Sequence, residues 1–290
     1  DGKNKVDIIK TMPGIKRYSV DKLPKILKEV TKYKIPMIAL FPYTPDKKKD
    51  KFGKEALNPN NLICRSLRLI KQKFPNVGVM CDVALDPYTT HGHDGVIIKD
   101  KIDNDETIKI LKQQALLYAK MGCDVIAPSD MMDGRIGEIR NILEKNNFKD
   151  VSILSYAVKF ASNFYDPFRD AVGSKSKLKK DKKTYQMDYR NSFELFREVG
   201  LDIKEGADMI MVKPGMIYLD IITKIKNEFQ IPVLAYQVSG EYSLLKEGLN
   251  KKILNNDAIF ETLISFKRAG ACAIVTYFAL EIAKRLKSIN

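Results

Sequence analysis

The sequence has only two histidines and only four cysteines in 290 residues. Cys64, Cys81, Cys123 and Cys272 form no CxxC pair. A disulfide framework and a cysteine-based zinc site therefore have no support from spacing, and a reducing compartment is the better match. No stretch approaches the roughly 20 apolar residues of a membrane span, and no signal-peptide pattern opens the chain. It starts on Asp1 rather than methionine, as a trimmed or processed form would. No GxGxxG or GxxxxGK[ST] follows any apolar run, so the usual nucleotide-binding signatures are missing.

What is present is an ordinary globular composition with a strong basic excess: 44% hydrophobic, 30% charged, and a net charge of +14. Such a charge suits an anionic partner: nucleic acid, an anionic surface or an acidic substrate. The excess is mostly lysine in short runs, as at Lys47 to Lys49 and in "KSKLKKDKK" at 175–183. Aromatic residues are sparse in these runs, which argues against a basic nucleic-acid-binding barrel.

Three segments share one grammar: "AKMGCDVIAPSD" (119–130), "IKEGADMIMVKPG" (203–215) and "KRAGACAIVTYF" (267–278). Each reads as a helix closed by glycine, a short link, then a continuously apolar strand. Gly122, Gly206 and Gly270 suit the left-handed residue that ends a helix. Further apolar runs lie at 35–41, 76–83, 151–157 and 231–238, with helical stripes between several of them, as at Leu23, Ile26, Leu27 and Val30. Alternation of this kind predicts a parallel sheet. At this length a (β/α)8 TIM barrel leads over a doubly wound sheet. The pattern shows seven strands, and 170–192 reads as a long polar loop suited to a lid.

Barrel enzymes place their chemistry at the C-terminal ends of the strands. Those ends carry Asp82 and Asp86, Ser129 and Asp130, Lys159, Lys213, Ser239 and Tyr277. One strand-end lysine is readily explained by an ion pair. Two in one cavity would depress each other's proton affinity, and a neutral lysine forms Schiff bases with carbonyl substrates.

The strings "MVKPGMIYLD", "SYAVKFASNFYDPFRDA", "APSDMMDGR", "YQVSGEY" and "MPGIKRY" together resemble the porphobilinogen synthase (5-aminolevulinate dehydratase) family, in order and over essentially the whole chain. The resemblance implies a single barrel domain over 1–290. It also implies condensation of two 5-aminolevulinate molecules to porphobilinogen in tetrapyrrole synthesis. Lys213 matches the lysine that holds the first substrate, and Lys159 the lysine that holds the second. Ser239 and Tyr277 match the grip on the first carboxylate. Arg169, Gln186 and Lys182 match the grip on the second. Lys182 stands where many members have arginine and so lacks the bidentate fork. Tyr165 and Phe168 match aromatics that cover the second substrate. Asp82, Asp130 and Ser129 match residues that orient an amine or relay protons.

The resemblance also bears on metals, assembly and location. Three cysteines of zinc-dependent members are here Ala84, Asp86 and Asp94. Carboxylates favour magnesium or nothing, so no zinc is expected. Asp86 and Asp94 are candidate magnesium ligands, and Glu241 matches an allosteric magnesium ligand at a subunit interface. His91 and His93 read as loop-ordering residues. A homo-octamer is implied; family members carry an N-terminal arm and a first strand ahead of "MPG", and both are expected to be missing from this chain, where only eleven residues precede Met12. The expected location is a plastid or apicoplast, or otherwise the cytoplasm. A class I aldolase-like barrel is the competing enzyme reading.

Overall fold

The structure is a computed structural model that describes residues 1–173 and 181–289. An antiparallel hairpin opens the chain, β1 (Val6–Ile8) with β2 (Lys16–Tyr18). Then come α1 (Leu23–Lys32), β3 (Met37–Leu40), α2 (Leu62–Lys73) and β4 (Gly78–Val83). A second hairpin follows, β5 (Val96–Ile98) and β6 (Lys101–Asp103). Its turn residues Lys99 and Asp100 both have positive φ, as a two-residue hairpin turn requires.

The remainder alternates strand and helix. It runs α3 (Asn104–Lys120), β7 (Val125–Pro128), α4 (Arg135–Lys145), β8 (Ser152–Lys159), α5 (Asp166–Ala171), α6 (Glu194–Lys204) and β9 (Met209–Lys213). It ends with α7 (Leu219–Glu228), β10 (Val233–Tyr236), α8 (Ser239–Asn250), α9 (Asp257–Arg268), β11 (Ala273–Val275) and α10 (Ala279–Ile289).

Seven strands pair in parallel, in the order β3, β4, β7, β8, β9, β10, β11. They are the seven apolar runs seen in the sequence, and the architecture is the expected (β/α) barrel, nearly closed. The glycine signal held: Gly122, Gly206 and Gly270 have φ of 92°, 104° and 110°. Among the described residues no strand joins β3 to β11. A cavity of about 1000 Å3 lies beside those edges, lined in part by Leu40, Phe41 and Tyr277. The two hairpins were not legible as strands.

Strand side chains alternate between faces. One set packs under the helices: Val79, Cys81, Ile126 and Ile153 in one core cluster, and Ile210, Val212, Val233 and Ala235 in another. The other set fills the barrel: Met80, Val125, Ala127, Leu154, Tyr156, Met211, Leu234 and Tyr236. Carrying the alternation to the strand ends puts Asp82, Ser129 and Lys213 on the interior side.

Lys159 would fall out of phase but for a bulge in β8. Ser155 pairs with Ile210, yet Val158 pairs with Val212 and Lys159 with Lys213. One extra residue on β8 shifts the phase. Without it, Val158 would stand opposite Lys213.

Of the segment expected to form a lid, 174–180 lies outside the described residues. Residues 181–192 follow β8 without forming a helix or strand. They are pinned where Met187 donates to the Lys159 carbonyl (3.0 Å) and accepts from the Ala161 amide (2.8 Å).

Candidate active site

The register places Lys159 and Lys213 directly opposite one another on neighbouring strands, which lie about 4.8 Å apart. Their surroundings differ. The Lys213 amine is buried among rings, 4.8 Å from the centroid of Tyr236, 5.2 Å from Tyr156, and 5.4 Å from both Tyr165 and Phe168. Burial, and next the charge of Lys159, lower its pKa to about 7. An amine with that pKa is about half uncharged at pH 7, whereas the sequence leads to the expectation of two uncharged amines.

Lys159 is held instead as a charge partner. Its Nζ donates to Asp94 Oδ1 at 3.3 Å and to the Ser129 carbonyl. Asp94 is itself shared. Its Oδ2 receives Lys182 at 2.7 Å and the Tyr185 hydroxyl at 2.8 Å. Burial opposes ionisation of Asp94, but Lys159 and Lys182 outweigh it and hold the carboxyl well below the usual range. Lys182 also reaches Asp86 Oδ2 at 3.3 Å. Burial works against its charge, yet Asp86 and Asp94 raise its pKa. His93 joins the same loop through the Tyr185 hydroxyl at 3.1 Å, the ordering role expected of it. His91 bonds the Lys51 carbonyl at 3.1 Å.

Asp82 and Asp130 are buried aspartates raised towards neutrality. Burial raises Asp82 to about 6 against the pull of Lys213. Burial raises Asp130 to about 6 against that of Arg135. Asp130 Oδ1 accepts the Met132 amide at 2.8 Å. Oδ1 of Asp82 and Oδ2 of Asp130 have no hydrogen-bond partner among the described residues; Asp130 Oδ2 faces the buried Arg135 guanidinium, 3.6 Å from its Nε.

The expected carboxylate grips are partly assembled. Gln186 is buried and neither its amide nitrogen nor its oxygen is bonded among the described residues, as a donor awaiting a ligand would be. Tyr277 meets the Tyr236 hydroxyl at 3.3 Å, and burial raises its pKa to about 12. Ser239 opens α8 and accepts the Phe168 amide at 2.9 Å. Arg169 is turned to Asp166, 3.2 Å away.

Three expectations need correction. Tyr165 and Phe168, expected over the second substrate, lie instead against Lys213, each ring centroid 5.4 Å from its amine; Tyr165 sits on the short turn between β8 and α5, and Phe168 on α5 itself. The Tyr165 hydroxyl is spent on the Phe160 and Lys213 carbonyls. Asp86 and Asp94 enclose an ammonium rather than an open cation site, and no group of three potential ligands exists among the described residues. Glu241 is fully buried within the chain. Its two oxygens accept the Met216 and Val238 amides, each at 2.8 Å, and burial raises its pKa to about 7. It ties the loop after Lys213 to α8, and the residues present do not fit an interface metal there. Glu241→Ala should therefore cost roughly 2–6 kcal/mol, since one buried and one part-buried amide lose acceptors at about 1–3 kcal/mol each. A urea midpoint measures this. Unchanged stability with altered magnesium response would reverse the correction.

Sequence reasoning missed Tyr156 and Tyr236, which complete the aromatic wall, and Arg135. Tyr156 lies three residues short of the end of β8 and Tyr236 closes β10; only the interior alternation marks them.

The chain matches the family described as delta-aminolevulinic acid dehydratase over residues 1–285. It is 53% identical to the delta-aminolevulinic acid dehydratase of Bradyrhizobium diazoefficiens, over 99% of this chain and 82% of that one. It is 45% identical to the chloroplastic enzyme of Chlamydomonas reinhardtii, over 96% and 74%. It superposes with a TM-score of 0.96 on the Toxoplasma gondii porphobilinogen synthase solved with its product porphobilinogen, at 46% identity and covering 98% and 82%.

Proposed function

The chain belongs to the delta-aminolevulinic acid dehydratase family, and from that premise we infer that it condenses two 5-aminolevulinate molecules into porphobilinogen. The observation that carries the reading is the facing pair Lys159 and Lys213. The Lys213 amine attacks the ketone of one substrate and expels its oxygen as water, leaving a Schiff base. Lys159 does the same with the second, once its proton is removed. Asp82, whose pKa is lowered by both lysine charges, is assigned as the acceptor of that proton. One C–C and one C–N bond then join the substrates and both lysines are released. Two waters leave in all. Holding the partners in register supplies up to about 7–11 kcal/mol of the barrier, and a tuned carboxyl contributes about 10²–10⁴ in rate.

Tyr277 and Ser239 are assigned to the first carboxylate, and Gln186, Lys182 and Arg169 to the second. The unpartnered Gln186 amide supports that assignment. Lys182 has to leave Asp86 or Asp94 to take part. No step is routed through a metal.

A colorimetric porphobilinogen assay tests this, run with EDTA, magnesium or zinc. We expect product, and no gain from zinc, because the thiol of Cys81 is buried with its pKa driven up by desolvation and Cys64 is likewise raised to about 11. Absence of product under every condition would refute the activity. Stimulation by zinc alone would refute the metal reading.

A homo-oligomer, with the octamer as the expected form, is supported by apolar side chains left bare: Phe193 at 83%, Ile253 at 74% and Ile8 at 70% exposure. Chloroplastic relatives in algae and pea support a plastid location, whereas the bacterial relatives favour a cytoplasmic one. No helix among the described residues is long and apolar enough to cross a membrane.

A further inference from the structure

Helix α5 carries Phe168 and Arg169, yet it has little to hold it. It is six residues long and none of them is fully buried. Helices this short are not stable on their own. Its start is held by the Ser239 hydroxyl, which accepts the Phe168 amide at 2.9 Å; what anchors its other end comes from the far end of the chain. In the β1–β2 hairpin, the Thr11 hydroxyl donates to Asp170 Oδ2 at 2.8 Å. Arg17 Nη1 donates to the Ala171 carbonyl, at the last turn of α5, at 3.0 Å. The same guanidinium lies 4.2 Å from the centroid of Tyr43 and 3.7 Å from Asp7.

The hairpin is in turn fastened to α8. Tyr242 donates to the Pro13 carbonyl at 2.5 Å, and Ser243 to the Thr11 carbonyl at 2.8 Å. Met12, at the tip, is completely buried. Just beyond α5, Gly173 has a φ of 69°, and a Cβ there would meet Tyr43 at 2.6 Å. Its carbonyl accepts from Lys49 at 3.3 Å. The C-terminal end of α5 is thus gripped from several sides, while its Phe168 ring points the other way, to Lys213 and edge-on to Phe41 at 5.3 Å.

We propose that Thr11 and Arg17 are positioning residues: the N-terminal hairpin clamps α5 and thereby sets Phe168 and Arg169 against the substrates. The proposal rests on the activity inferred above. Neither residue touches the reacting atoms, so removing one loosens substrate capture and leaves the lysine chemistry in place.

The test is steady-state kinetics on the full chain. Arg17→Ala should raise KM for 5-aminolevulinate about tenfold, equivalent to about 1.4 kcal/mol, with kcat at saturation within about twofold. Arg17→Lys keeps a cation over Tyr43 but loses the planar guanidinium, and should recover part of the loss. Thr11→Val, a change at an exposed site, should raise KM about threefold and serves if Arg17→Ala fails to fold. KM within twofold of the parent in both Arg17→Ala and Thr11→Val would overturn the proposal.

Hydrogen exchange separates it from the activity. Amides between Phe168 and Gly173 should exchange at least tenfold faster in Arg17→Ala. Unchanged exchange sinks the clamp even where product forms. A parent that forms no product, with exchange still accelerated, sinks the activity and leaves the clamp standing.

Discussion

Replacing Lys213 with alanine should lower porphobilinogen formation by about 10⁴-fold or more, the scale on which loss of a covalent nucleophile is felt. The substitution deletes the one amine that, among the described residues, is enclosed by Tyr156, Tyr165, Phe168 and Tyr236. Folding should be little harmed, because the variant buries no new charge. Borohydride added with 5-aminolevulinate should trap substrate on Lys213 in the parent, found by mass spectrometry of the modified peptide. With a pKa of about 7, the amine is charged at lower pH and neutral above it. The trapping rate should therefore fall about tenfold per unit as pH drops below 7, and level off above it. Trapping that is flat from pH 5 to 8, or turnover retained in the alanine variant, would be fatal to the mechanism.

Lys159→Met should abolish turnover to a similar degree but leave trapping at Lys213 intact. This outcome distinguishes a two-substrate condensation from a class I aldolase, which needs one Schiff-base lysine. The distinction matters because the fold is shared: a solved aldolase, 14% identical, superposes with a TM-score of 0.52. The variant should also move the acid limb of Lys213 trapping to higher pH. After burial, the Lys159 charge is the next cause of the lowered pKa, and methionine removes it. Only a partial shift is expected, since burial remains. Porphobilinogen production by the methionine variant would contradict the role of Lys159. An unmoved acid limb would contradict the proximity of the two amines.

The barrel was legible because continuous apolar runs and helix-closing glycines are local signals. Both lysines were legible because a charged residue closing a buried strand conflicts with its surroundings. The N-terminal hairpin was not, since Val6–Ile8 and Lys16–Tyr18 carry no strong alternation and are largely exposed. Nor was the bulge in β8. It adds one residue between Ser155 and Val158, and nothing in "LSYAVK" marks where pairing slips, yet it decides whether Lys159 or Val158 meets Lys213. The partner of Lys182 was also hidden. Its aspartates lie 96 and 88 positions earlier in the chain, and only folding shows that they claim it.

The charge pattern has its own consequence for how substrate is gathered. The chain as a whole carries +14, but its reaction centre is not basic. Asp86 and Asp94 are matched by Lys159 and Lys182, Asp82 adds a negative charge at pH 7, and Lys213 is about half discharged there. The long-range pull on a small anion therefore comes from the outer lysines, which are damped by mobile ions over about 8 Å at physiological strength. The inner cluster, largely buried, is shielded from them. Delivery and chemistry draw on separate electrostatic sources, so ionic strength acts on the first and spares the second.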